Sequence, residues 1–310
     1  MKKNLKNMHL SMKKHMDFFE ENKEIIQKEY YNMEHLSFVK PTYIENWPDG
    51  LKKLSISDEH IKLTERETKL LGTTLIEFGE SFKDFFENGM DDGLISERIL
   101  FMEELKKSLN FIIEKHSNGV FIRLGSRSPK DSHQYYKNPK VMNGTEAIRM
   151  LIDTSERIYD DLMLAVINKY KPSIFIREWI DIPKWCEFRC FMKNRKLQGI
   201  SQYYYNEYYR EIETSQLLIQ SGIIEFFKKF EKECHLDDVI FDVFLDLNKI
   251  DELKLIQEID VKLLEINPYS SKLTDPCLYN WFDPDSFNTP FRYQKEDNLK
   301  SIILGEENEG

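Results

Sequence analysis

The chain has 310 residues, and 41% of them are apolar, including 21 Phe and 15 Tyr. That is enough to bury a real core, so disorder over most of the length is excluded. Forty-four basic against fifty-four acidic side chains leave a net charge of −10, which argues against a general nucleic-acid binder while leaving room for a local basic groove.

Residues 14 to 31 place Phe18, Phe19, Ile25 and Ile26 at helical spacing. The pattern breaks between Pro41 and Gly50, with Pro48-Asp49-Gly50 a turn signal. Residues 58 to 88 and 94 to 118 read as two further helices, the second ended by Asn118-Gly119. A mainly helical N-terminal region, residues 1–118, is therefore expected.

From Gly119 the character changes. Val120 to Leu124 is a short β-rich run, followed by the polar loop 125–132. Residues 144 to 169 read as one long amphipathic helix with Ile148, Leu151, Ile152, Ile158, Leu162 and Ala165 as its buried stripe. Strands are expected at Ser173 to Ile180, Trp185 to Lys193 and Leu197 to Tyr203, with Asn194-Arg195-Lys196 as a hairpin turn. A Phe-rich helix at about 213–233 precedes strands at Val239 to Leu247 and near Lys262 to Asn267. The charged connection between those strands, 248–260, is long for a hairpin. The polar tail after Trp281 either hugs or leaves the surface. This order is mixed α+β rather than alternating βαβ, so a Rossmann sheet is disfavoured. Neither G-x-G-x-x-G nor G-x-x-x-x-G-K-[ST] occurs.

The four cysteines, Cys186, Cys190, Cys234 and Cys277, form no paired C-x2-C knuckles, so structural zinc is not expected and reduced thiols are. The basic start is not followed by an apolar run long enough for a signal peptide, and no window approaches eighteen consecutive apolar residues. A cytoplasmic location without membrane contact is expected.

The most informative segment is Leu264-Glu265-Ile266-Asn267-Pro268. On a strand, Glu265 and Asn267 point the same way, roughly 7 Å apart. Pro268 removes a ladder donor and favours strand termination. Asp242, in Phe241-Asp242-Val243, can supply a third oxygen from a neighbouring strand. A few hard oxygens with open positions suit magnesium, which keeps waters and takes phosphate oxygens from a nucleotide. The plainer reading is that these are turn or edge residues.

Other charged groups sit among apolar strand neighbours. Arg123 in Phe121-Ile122-Arg123-Leu124 needs an anion, either a phosphate or a nearby carboxylate. The loop after it carries Arg127 and Lys130 and small residues whose backbone amides can cover phosphates; otherwise it is a solvated connection. Arg177-Glu178-Trp179-Ile180-Asp181 ends an apolar strand where a flat base can stack, backbone groups can read its edge and Asp181 can accept a ribose hydroxyl, unless Trp179 is simply core. Glu187 and Arg189 share a strand face, either as a structural pair or with Arg189 toward a triphosphate and Glu187 orienting it. Tyr203, Tyr204, Tyr205, Tyr208 and Tyr209 suggest packing or a protein interface more than single-strand stacking.

These segments, in this order, resemble the ATP-grasp superfamily and, more narrowly, the cell division cycle protein 123 (D123) family. The matching runs are Phe121-Ile122-Arg123-Leu124 with Ser128-Pro129-Lys130-Asp131, Arg177-Glu178-Trp179, Glu187-Phe188-Arg189-Cys190-Phe191, Gly199-Ile200-Ser201-Gln202, Phe241-Asp242-Val243, Ile266-Asn267-Pro268 and Thr274-Asp275. The resemblance implies an α+β ATP-grasp fold with a nucleotide cleft between two lobes. It implies an N-lobe at 119–176, a C-lobe with the nucleotide and metal site at 177–283, and a tail at 284–310. It places Arg123 where the family has a phosphate-binding lysine and 125–132 on the phosphate-covering loop. Arg177 to Asp181 fall on the adenine and ribose hinge, and Arg189 on a phosphate-facing basic residue. Asp242, Glu265 and Asn267 fall on the metal ligands, with Glu265 where Asp is common. ATP and Mg2+ are the implied cofactors. The implied role is assistance in assembling translation initiation factor 2 by binding its gamma subunit. The other role open to such a fold is a ligase that joins a carboxylate to an amine through an acyl phosphate. Replacing Asp242 and Asn267 together by Ala is expected to abolish Mg-ATP binding and leave the fold intact.

Overall fold

A computed structural model describes residues 33–77, 92–152, 155–247 and 259–296. The chain divides into two compact units, one of Met1–Glu45 with Asp58–Trp179 and one of Asn46–Ser57 with Ile180–Gly310. The expected helix at 14–31 and most of the 248–260 connection lie outside the described residues.

In the first unit, strands β1 (Asp58–Lys62), β2 (Val120–Leu124) and β3 (Ser173–Glu178) form an antiparallel sheet with β3 in the centre. The expected helix from residue 58 is corrected here. Asp58–Lys62 pairs with β3, Asp58 opposite Arg177 and Lys62 opposite Ser173, and this long-range pairing overrides a locally helical composition. The helix α1 (Glu65–Glu77) begins only after Thr64, which closes a capping box. Glu67 N–H donates to Thr64 Oγ1 at 3.2 Å, and Thr64 N–H donates to Glu67 Oε2 at 2.7 Å. The two-residue alternation of a strand decides which face of the sheet is apolar. Ile122, Leu124, Ile174 and Ile176 point into a core completed by Leu71, Leu105, Leu109, Leu151 and Leu162 from the covering helices. The other face carries Phe121, Arg123, Phe175 and Arg177, the residues between them.

The helix expected over 144–169 is two helices, α2 (Gly144–Ile152) and α3 (Glu156–Ile167). Ser155 stops the run by capping the second, its hydroxyl accepting from Ile158 N–H at 3.2 Å. The buried stripe survives the break, because Leu151, Ile158, Leu162 and Ala165 are all buried.

In the second unit, β4 (Glu187–Lys193), β5 (Lys196–Gln202), β6 (Val239–Leu245), β7 (Val261–Pro268) and the two-residue β8 (Phe291–Arg292) form a sheet in the order β7-β6-β4-β5-β8. All pairs are antiparallel except β5 with β8. The β4–β5 hairpin turns at Asn194 and Arg195, whose φ of 49° and 58° match the twist that a two-residue hairpin needs. The interior strand β6, between β7 and β4, is buried along its whole length. Its odd-numbered residues face the helix α4 (Arg210–Glu233), where Phe230 stacks on Phe241 at 4.1 Å between ring centroids. Its even-numbered residues face the other way. There, Ile240 joins Phe191 and Tyr279, with Tyr269, Trp281 and Phe287 packed around them. The tail thus hugs the sheet as far as β8.

Tyr279 locks this second layer. Its hydroxyl accepts from Ile200 N–H at 3.1 Å and lies 2.8 Å from Thr289 O as donor. Its ring crosses Gly199 so closely that a Cβ there would sit 2.5 Å from Tyr279 Cζ. Gly199→Ala is expected to lower unfolding free energy by about 1–3 kcal/mol through overpacking. Urea denaturation measures it, and an unchanged midpoint contradicts the close approach.

Candidate functional site

The second unit brings together the residues expected to hold a metal. Asp242 lies opposite Arg189 of β4 on one side and Glu265 of β7 on the other. A register shift after Asp242 sets Glu265 opposite Asp242 and Leu263 opposite Val243, so that Glu265 and Asn267 share the face on which Asp242 stands. Leu263, just before the bulge, is held from outside the strand. Its N–H donates to Leu54 O at 2.8 Å, and Ser55 Oγ donates to Leu263 O at 2.7 Å. The segment 46–57 therefore fixes the strand on which the carboxylate and amide are mounted, with Trp47 and Leu51 buried beneath it.

Asp242 is 2% exposed and Arg189 6%. Arg189 grips it with both prongs, Nε to Oδ1 and Nη2 to Oδ2, each at 2.8 Å. Nη1 donates to Asp275 O at 2.8 Å, and the guanidinium carbon lies 5.0 Å from the centre of the Tyr203 ring. Asn267 Nδ2 donates to Asp242 Oδ2 at 3.2 Å and stands 3.5 Å from Glu265 Oε1. Burial alone opposes the charge on Arg189, but Asp242 outweighs it and holds the guanidinium well above its usual value. Among the described residues, no three or more His, Cys, Asp or Glu side chains are placed to hold a metal ion. A cation here would find the carboxylates of Asp242 and Glu265 and, with its amide turned over, the oxygen of Asn267, the remaining oxygens coming from ligand or water. That donor set is hard and fits magnesium.

The first three residues of the tyrosine run, Tyr203 to Tyr205, contact this face, and the other two bond to nearby glutamates. Tyr205 donates to Asp275 Oδ2 at 3.1 Å, Tyr208 to Glu213 Oε2 at 2.7 Å and Tyr209 to Glu207 Oε2 at 2.6 Å. Tyr204 stands 3.4 Å from Glu187 Oε1, which occupies the same strand face as Arg189. All four cysteines are free thiols. Burial pushes Cys277 up to about 12, so it is protonated at neutral pH.

The remaining expected residues divide between the units. Arg123, Arg127, Lys130, Arg177, Glu178 and Trp179 belong to the first; Ile180, Asp181 and Arg189 belong to the second. Arg123 and Arg177 are 5% and 3% exposed and share the non-core face of the first sheet, where Arg123 is opposite Phe175 and Arg177 opposite Phe121. Arg123 Nε donates to Leu124 O at 3.0 Å. The 125–132 loop is tied down at both ends. Gly125 N–H donates to Ser173 O at 3.0 Å, and Asp131 accepts from Ser155 Oγ at 2.6 Å and from Arg157 N–H at 3.0 Å. Between them Arg127 stands 3.6 Å from Asp161, which raises its pKa, and Lys130 is half-buried. Glu178 and Asp181 are exposed. Trp179 is half-buried under Lys140, whose Nζ lies 5.7 Å from its ring; its N–H donates to Gly119 O at 3.2 Å and its carbonyl accepts from Asn118 at 3.3 Å.

Comparison with known proteins gives the frame. The D123 family model matches residues 55–302. The chain belongs to the D123 family. A CDC123-like protein of Acanthamoeba polyphaga mimivirus is 28% identical over 244 residues, covering 77% of this chain and 68% of that protein. The translation initiation factor eIF2 assembly protein of Xenopus tropicalis is 24% identical over 244 residues, covering 76% and 69%. The structure of Cdc123 from Schizosaccharomyces pombe superposes with a TM-score of 0.62 at 18% identity over 84% of this chain and 98% of that one, a likeness of fold. No helix among the described residues of this D123 chain is long and apolar enough to cross a membrane.

Glu45 was invisible to sequence reasoning. It lies far from every motif, yet its carboxylate accepts a hydrogen bond from Tyr170 and a Cβ at Gly125 would collide with it. Burial raises its pKa above the ordinary 4.5; the Tyr170 hydroxyl and the charge of Arg123 pull the other way. A raised carboxyl pKa means that the native state binds the proton more tightly than the unfolded chain. The stability it contributes is present below the unfolded value and is lost as pH rises through the folded one. Relative to Glu45→Gln, the native protein is expected to lose stability as pH rises above about 4.5. Denaturant titrations of both proteins across that range test it, and parallel stability curves contradict it.

The structure also changes what to expect of the double Ala replacement. Asp242 is the counter-charge of a buried arginine, so Asp242→Ala leaves that charge uncompensated and is expected to cost about 3–5 kcal/mol. Tryptophan-monitored urea unfolding reads this directly. A variant as stable as the parent contradicts the pairing.

Proposed function

We propose that this D123 chain is a Mg-ATP-binding assembly factor that clasps the gamma subunit of eukaryotic translation initiation factor 2. The observation that carries the reading is the meeting of Asp242, Glu265 and Asn267 on one strand face, with Arg189 in contact. These are two carboxylates and an amide where a divalent ion finds oxygen, beside a guanidinium suited to phosphate. The family's members named as eIF2 assembly proteins support the partner class. Family membership alone is an analogy; the site residues supply the chemistry.

In this reading Asp242, Glu265 and Asn267 hold the magnesium ion, which when bound neutralises phosphate charge. The chain's own residues do the rest. Arg123, Arg127, Lys130, Arg177 and Arg189 are the cations assigned to phosphate oxygens. Glu178, Trp179, Ile180 and Asp181 are assigned to adenine and ribose, with the exposed Asp181 carboxylate toward a hydroxyl. The backbone N–H of Trp179 already bonds Gly119 O, so edge reading of the base at that residue falls to the second lone pair of its carbonyl, the first being taken by Asn118. The tyrosine-rich surface at 203–209 has the amphipathic character that protein interfaces favour.

Affinity capture with this chain as bait and the purified gamma subunit as prey tests the partner. Retention that rises when ATP and magnesium are added is expected. A subunit that stays in the flow-through with and without Mg-ATP contradicts the role.

A further inference from the structure

Asp242 has both carboxylate oxygens engaged by a cation already. Arg189 supplies that cation, through two bonds of 2.8 Å in a pocket where its side chain is 7% exposed and that of Asp242 3%. Asn267 adds a third donor. It turns its nitrogen, not its oxygen, toward Asp242 Oδ2 at 3.2 Å and toward Glu265 Oε1 at 3.5 Å. An amide can ligate a metal only through its oxygen. The guanidinium and the amide nitrogen therefore stand where a divalent ion must put its charge. An ion so close to Arg189 is repelled by it and must share the Asp242 carboxylate with it.

Resting on the reading of this face as a magnesium–nucleotide site, we propose that Arg189 gates it. Its grip on Asp242 excludes a divalent cation until a polyphosphate offers the guanidinium another anion. Two features make the exchange workable. A planar fork that fits a carboxylate bidentately fits a phosphate equally well, so Arg189 loses no hydrogen bonds in passing from one to the other. The Tyr203 ring, 5.0 Å from the guanidinium carbon, holds it by a contact that depends little on rotation in the plane. Nη1, bonded to Asp275 O at 2.8 Å, acts as the pivot about which the other two nitrogens leave Asp242. Asn267 completes the change by turning its amide over. Metal and phosphate then bind as a linked pair, and the metal alone binds poorly.

The consequence runs against intuition, because removing a charged residue from the site improves one kind of binding. Arg189→Gln takes away the competing cation while leaving a hydrogen-bond donor of similar reach. Mn2+ serves as the probe, with free ion counted by its electron paramagnetic resonance signal and folding checked by circular dichroism. In the absence of nucleotide, the native chain is expected to bind Mn2+ weakly and Arg189→Gln about tenfold more tightly, within the usual range of site–site coupling. If Arg189→Gln does not fold, Arg189→Lys is read in its place. It keeps the charge but cannot hold both oxygens, and a smaller tightening of about threefold is expected. Mn2+ affinity that is unchanged or weaker in the variant that folds overturns the gate. A native chain that takes up Mn2+ only together with ATP, alongside such an unchanged variant, overturns the gate and leaves the site reading standing. No Mn2+ uptake by any of these proteins, with or without ATP, overturns both.

Discussion

The second unit is organised around one buried ion pair. Arg189 and Asp242 face each other across two central strands, and neither can be buried without the other. A leucine pair of the same volume would hold β4 to β6 at least as well, since buried pairs give little net stability over apolar replacements. Under the proposed site, the pair's presence between β4 and β6 is a matter of chemistry at that face rather than of cohesion. Everything else there serves its placement. Phe230 on Phe241 presses the back of β6 against α4. Tyr203 stacks on the guanidinium, and Asp275 O takes its third nitrogen.

The same logic explains the bulge in β7. An unbroken strand alternates faces, and a single extra residue at Leu264 resets which residues look toward Asp242. Leu54 and Ser55 hold the strand at Leu263, so the reset is fixed in position. A segment from early in the chain, 46–57, therefore shares in positioning a site whose own residues lie between 187 and 275. In the first unit the division of labour is simpler. One sheet face sends Ile122, Leu124, Ile174 and Ile176 into the core and ends at the exposed Glu178; the other carries Arg123 and Arg177, with Glu45 close to the first of them.

Much of this was legible in the sequence because it follows from period-two alternation. Glu265 and Asn267 share a face, and Glu187 and Arg189 share a face, whatever the rest of the fold does. The strand Val120–Leu124, a strand ending at Lys193 and a turn after it were readable locally, although the turn is Asn194-Arg195 and Lys196 already pairs in β5. What was not readable was long-range. Asp58–Lys62 has no strong β composition and becomes a strand only because β3 lies beside it. Asp242 looked like a ligand free to be replaced, since nothing in Phe-Asp-Val announces that Arg189 lies opposite. Glu45 and Tyr170 are 125 positions apart, and no pattern links them. The loop 125–132 reads from its composition as a phosphate cover or a solvated connection, and nothing in it announces that Asp131 fastens it to the start of α3.

The central claim is that two adjacent strands of this D123 chain offer oxygens to a divalent ion at Asp242, Glu265 and Asn267. Anomalous diffraction from crystals grown with Mn2+ and a non-hydrolysable ATP analogue tests it most directly. The account predicts a manganese peak about 2.1 Å from side-chain oxygens of these three residues, with Arg189 turned from Asp242 to a phosphate. A nucleotide bound with its metal elsewhere, and the Arg189–Asp242 pair intact beside it, would contradict the account.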